Sequence, residues 1–126
     1  AAKQGAVSRL IQIYANRGHL IADIDPLGLT LRPVPKVLGL DYHRLTEADL
    51  DAEFLTGSRN GAIKPRLKLR EIIAQLQHIY CGTIGAEYMY INDTATKRFV
   101  QARLEPIRSR PTYPAEQRRH ILVQLA

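Results

Sequence analysis

Between Leu69 and Tyr80 the apolar residues Leu69, Ile72, Ile73, Leu76, Ile79 and Tyr80 recur at the three- and four-residue intervals that place side chains on one face of an α-helix. No other stretch of the chain carries so complete a stripe, and Gly82 ends it. Each member contributes roughly 1.5–3 kcal/mol only when fully buried, so the rest of the chain must supply an apolar surface to cover this helix. Val7, Leu10, Ile11 and Tyr14 offer one at the same period, on a first helix predicted from about Gln4 to Arg17. Gly18 follows where a helix end calls for a residue able to adopt positive φ.

Between these two helices the periodicity fails. From Ile24 to Leu40 three prolines and two glycines interrupt every period, and each proline drives its preceding residue away from helical geometry. The segment reads as an extended connector. Its Leu27, Leu29, Leu31, Val34, Val37, Leu38 and Leu40 are too many for a free linker and predict that it lies packed against the body. Thr46, followed by Glu47 and Asp49, has the pattern of a helix start, with Leu45 placed to staple onto Leu50, and predicts a short helix to about Phe54. The loop Gly57-Ser58-Arg59-Asn60-Gly61 lacks the Gly-Lys-Ser/Thr ending of a phosphate loop.

Thr83 to Ile91 carries Ile84, Tyr88, Met89, Tyr90 and Ile91 without a decisive period and reads as irregular. Asn92, Asp93 and Thr94 offer cap oxygens for a fourth helix containing Phe99, Val100 and Leu104, which Pro106 stops. A last helix begins near Pro114 and presents Ile121, Leu122 and Leu125 on one side. The expected fold is therefore all-α, a single helical domain over residues 1–126 with about five helices and a long proline-rich connector. Its expected core is Leu10, Ile11, Tyr14, Ile72, Ile73, Leu76, Ile79, Phe99 and Leu104. The final helix reaches Ala126 without a stop signal, so its apolar side is expected to be covered by chain that follows.

A length of 126 residues suits one domain, and no apolar run approaches the roughly 18 residues of a membrane span. Of the net charge of +6, residues 97–126 supply +5. Arg103, Arg108, Arg110, Arg118 and Arg119 lie scattered there without interleaved aromatics, which favours a solvated or protein-facing surface over a nucleic-acid interface. Cys81 is the only cysteine, so a reducing compartment is expected, and the start Ala1-Ala2-Lys3-Gln4 has no signal-peptide pattern.

The same residues give little catalytic chemistry. Cys81 and the four histidines form no pair with zinc-ligand spacing; His78 and His120 read as structural or surface residues, and Cys81 as a small buried hydrophobe. Asp23 and Asp25 flank Ile24 and suit turn chemistry before Pro26. Glu87, amid Ile84, Tyr88 and Met89, must be exposed or paired, with Arg17 or Arg103 as the expected partner.

Three blocks carry a resemblance over nearly the whole chain: 14–29 (YANRGHLIADIDPLGL), 45–50 (LTEADL) and 80–91 (YCGTIGAEYMYI). In this order and spacing they resemble the region upstream of the catalytic domains in the decarboxylating component of 2-oxoglutarate dehydrogenase. The family usually has Ala-Glu-Tyr-Met-His where this chain has Ala86-Glu87-Tyr88-Met89-Tyr90, which removes any polar imidazole role at position 90. The resemblance implies a homodimeric parent that uses thiamin diphosphate and magnesium. That parent oxidatively decarboxylates 2-oxoglutarate, passes the succinyl group to the lipoyl-lysine of a dihydrolipoyl succinyltransferase, and works in the bacterial cytoplasm or the mitochondrial matrix. The family's Gly-Asp-Gly diphosphate motif is absent here, so no catalytic, cofactor-binding or metal residue carries over, and the chain alone is expected to be an inactive N-terminal segment. The competing readings are the same segment of a 2-oxoadipate dehydrogenase and a free-standing helical interaction module.

Overall fold

The computed structural model describes residues 2–57, 63–107 and 111–126. The architecture is mostly helical, with four α-helices and a small antiparallel pair of strands among the described residues, so the all-α expectation is corrected. Helix α1 spans Ala2–Arg17 and buries Ala6, Val7, Leu10, Tyr14 and Ala15. Helix α2 spans Leu69–Tyr80 and buries Leu69, Ile72, Leu76, Ile79 and Tyr80. The two faces meet to make the core, which Leu38, Leu45, Phe54 and Tyr88 complete.

The expected short helix at 45–54 is where the count of about five fails. Only one 3-10 turn forms, Glu47–Asp49: Asp49 does turn its carboxylate back onto the Thr46 amide (2.9 Å) and hydroxyl (3.2 Å) as a capping box, but the chain that follows leaves for a strand. Beyond it the burial alternates with period two. Phe54 is buried between exposed Glu53 and Leu55 in strand β1, Glu53–Leu55, which pairs with β2, Arg66–Lys68, in the register Phe54 opposite Leu67. Opposite charges at Glu53 and Lys68 face each other across the pair, an arrangement that favours this register. The Gln4 side chain satisfies the outer edge of β1, accepting from the Leu55 N–H at 2.8 Å and donating to its carbonyl at 3.0 Å. Lys3 reaches Asp49 at 2.5 Å, so the first turn of α1 clamps the strand and the turn before it.

Gly18 does not take positive φ; that conformation belongs to Gly28, Gly57 and Arg44. Its role is proximity. A Cβ on Gly18 would stand 2.6 Å from the Tyr80 Cβ, because the C-terminal ends of α1 and α2 touch there. The connector packs only in its second half, through Val37, Leu38 and Leu40, whereas Leu27, Leu29, Leu31 and Val34 are exposed. Helix α3, Thr94–Leu104, is capped by Asp93 and buries no residue; Phe99 is solvent-facing beneath the Arg103 guanidinium at 4.4 Å, and Leu104 is half-buried. Phe99 therefore leaves the expected core, and Ile11, Ile73 and Leu104 sit at its margin. Helix α4, Ala115–Leu125, is exposed throughout.

Candidate functional site

The residues singled out for possible chemistry are dispersed. His43 is buried with its ring Nε2 2.8 Å from the Val37 carbonyl, and His120 stands on exposed α4. His78 and Cys81 border a shallow concavity of about 290 Å³ with Ala74, Gln77 and Gly82. Burial pushes the Cys81 thiol up to about 11, and its Sγ contacts the Gly18 carbonyl at 3.5 Å, so the protonated form dominates at neutral pH. Among the described residues no group of three or more His, Cys, Asp or Glu side chains could hold a metal ion.

Asp25 performs turn chemistry. Its carboxylate accepts from the Thr30 amide at 2.9 Å, and its carbonyl from the Gly28 amide at 3.1 Å; the Thr30 amide holds the Asp25 carboxyl below the usual carboxylate range. The backbone of Asp23 ties this turn to the end of α2 through Asp23 N–H to Gly82 carbonyl, 2.8 Å. Glu87 is exposed and meets His19 at 3.7 Å, in place of the expected Arg17 or Arg103; His19 lies in the 3-10 turn Gly18–Ile21, against which the Thr83–Ala86 segment folds. Arg103 is occupied by Phe99, while Arg108, Arg110 and the 58–61 part of the glycine-bearing loop lie outside the described residues. Tyr90 is 75% exposed, so the position where the family has histidine faces solvent.

One buried polar cluster joins residues far apart in sequence. Tyr80 and Tyr88 hydroxyls share a hydrogen bond of 2.8 Å, and Tyr80 donates to the Glu105 carboxylate at 3.2 Å. Burial raises both phenols, so they stay neutral donors that fasten the end of α3 to α2. Nothing in the sequence spacing of 80, 88 and 105 signals this convergence, because the irregular segment between them sets it. A second concavity, of about 370 Å³, gathers Arg9, Ile13, Tyr42, His43 and Arg44.

Part of the exposed surface is apolar. Leu27, Leu29, Leu31 and Val34 are 66–96% exposed along the connector, and Ile121, Leu122 and Leu125 are 42–81% exposed on α4. No helix among the described residues is long and apolar enough to cross a membrane.

No family model matches the chain. It is 44% identical over 124 residues to the 2-oxoglutarate dehydrogenase E1 component of Azotobacter vinelandii, an alignment that takes in 98% of this chain and 13% of that protein. To the E1 component of Cupriavidus necator it is 42% identical over 123 residues, again 98% of this chain and 13% of the relative. A mitochondrial 2-oxoglutarate dehydrogenase of Caenorhabditis elegans is 39% identical over 104 residues, 79% of this chain and 10% of that protein. The match falls in the N-terminal part of these proteins, of whose length the chain spans 13% or less.

Proposed function

We propose that this chain, a homologue of the N-terminal part of 2-oxoglutarate dehydrogenase E1 components, is the corresponding segment of such an enzyme and serves it by packing against the remaining domains. One observation carries this reading: a core built between α1 and α2 coexists with two uncovered apolar strips, on the connector and on α4, in a chain whose relatives are several times longer. The buried contribution goes to holding the segment's own shape, and the strips remain for a partner surface.

Thiamin diphosphate and magnesium, implied for the parent by its family resemblance, do not fit the residues present. The sequence has no Gly-Asp-Gly motif, and the described residues bring together no set of donors for a metal ion. The parent would be a homodimer that decarboxylates 2-oxoglutarate oxidatively and hands the succinyl group to the lipoyl-lysine of a dihydrolipoyl succinyltransferase, in the bacterial cytoplasm or the mitochondrial matrix. On this reading residues 1–126 form one domain that contributes no reacting group and is inactive alone.

The test is reconstitution. The 126-residue chain is mixed with the separately produced remainder of the enzyme, and assembly is followed by sedimentation together with 2-oxoglutarate turnover. A complex is expected, weakened at least tenfold by Leu31→Asp or Leu122→Asp. Absence of any complex would overturn the reading, as would micromolar binding of thiamin diphosphate with magnesium by the 126-residue chain itself.

A further inference from the structure

Arg9 of α1 and Arg44, more than thirty residues later, converge on the concavity they share with Ile13, Tyr42 and His43. Its volume of about 370 Å³ lies within the range of small-molecule sites. Neither guanidinium has an ion pair or hydrogen bond among the described residues, although both side chains are exposed and Asp41 lies close in sequence. The wall they stand on is fixed. His43 is anchored to the Val37 carbonyl, and the Tyr42 ring packs edge-on against His43 at 5.1 Å.

Arg44 holds its place at a backbone cost. It closes the 3-10 turn Asp41–His43 by donating its N–H to the Asp41 carbonyl at 3.0 Å, with φ 57 and ψ 33, and among the described residues it is the only non-glycine at positive φ. A residue with a Cβ is disfavoured in that region, where glycine would sit freely. Strain of this kind collects at ligand sites, where the side chain is kept for what it contacts. The arginine fork is suited to planar carboxylates and to phosphates, and among the described residues neither fork on this cleft has an acidic partner.

We propose that this cleft binds a small-molecule oxyanion, a phosphate or a carboxylate, held by the Arg9 and Arg44 guanidiniums, with Ile13 and Tyr42 flanking its apolar part. The inference is independent of the packing role proposed above. It is tested by titrating the chain with inorganic phosphate and, separately, with succinate, following backbone amide resonances against sodium chloride at matched ionic strength. A polyglutamate arm distinguishes a free anion from acidic side chains of another polypeptide.

Saturable shifts confined to Arg9, Ile13 and residues 42–45, with either small anion and with half-saturation in the millimolar range, are expected. Arg44→Gly removes the guanidinium and relieves the backbone together. It should weaken binding at least fivefold while melting at the same temperature as the unsubstituted chain or higher, and Arg9→Gln should weaken it similarly. Linear shifts equal to those in chloride, saturation by polyglutamate alone, undiminished binding by Arg44→Gly, or an Arg44→Gly chain that melts earlier would each overturn the proposal.

Discussion

Replacing Gly18 by alanine sets two effects against each other, and the structure decides the sign. Gly18 begins the 3-10 turn after α1 without positive φ, so alanine's backbone restriction alone would stabilise the fold by about 0.4–1 kcal/mol. The added Cβ would, however, stand 2.6 Å from the Tyr80 Cβ, about 1 Å inside ordinary carbon contact. Tyr80 cannot swing away from the root of its own side chain; it is 1% exposed and tied to Tyr88 and Glu105. The ends of α1 and α2 must therefore part, an overpacking cost of about 1–3 kcal/mol. Gly5, within the same helix, is the control. Its Cβ would meet only the flexible Arg9 Nη1 at 3.6 Å, so Gly5→Ala should stabilise by about 0.5–1 kcal/mol. Equilibrium urea unfolding with unchanged m reads both. If Gly18→Ala were as stable as the unsubstituted chain, the close approach of the two helices would be wrong.

Leu76, 2% exposed at the centre of the α2 face, should cost about 2–5 kcal/mol on truncation to alanine, again by urea unfolding, whereas Phe99→Ala on the exposed side of α3 should cost under about 1 kcal/mol. Asp49 accepts from Lys3 and from the Thr46 amide, which lowers its pKa in the folded state. Its contribution is thus fully present above the ordinary carboxylate value of about 4 and is lost as pH falls through the lower folded value. Thermal melts from pH 6 to pH 2 should show a flatter acid limb for Asp49→Asn. Cys81, with its thiol pushed up to about 11, should alkylate at pH 8 at least ~100-fold more slowly than in the urea-unfolded chain, and equal rates would contradict the burial assigned to it.

The parts of the fold legible in sequence were those whose signal is local. The 69–80 stripe gave α2 because every third or fourth side chain is buried against α1, and Asp93 caps α3 because its carboxylate accepts from the Thr96 amide. What escaped depends on partners distant in sequence. Phe54 belongs to a strand only because Leu67 lies across from it and Gln4 completes the edge, and a three-residue strand leaves too short a period to outweigh the helix-start signal at Thr46. The position of Gly18 after a helix suggests a conformational role, whereas its reason is the Tyr80 stem, which only the meeting of two helix ends reveals. Phe99 has the composition of a core residue and the exposure of a surface one, since the described chain offers α3 little to pack on. Among the candidate site residues, the turn role of Asp25 followed from its neighbour Pro26, while the pairing of Glu87 with His19 required the 83–86 segment to fold back onto the end of α1.

Amide hydrogen exchange, compared between the 126-residue chain and the full-length enzyme proposed as its parent, tests the packing role most directly. An 11-residue helix without buried side chains is marginal alone, and an extended connector has few internal hydrogen bonds to protect it. The account predicts near-unprotected amides at Leu27, Leu29, Leu31 and Ile121–Leu125 in the isolated chain, against slow exchange on α2, and at least ~100-fold slowing of those same amides in the full-length enzyme. Protection of Ile121–Leu125 equal to that of α2 in the isolated chain, or no gain of protection in the full-length enzyme, would contradict it.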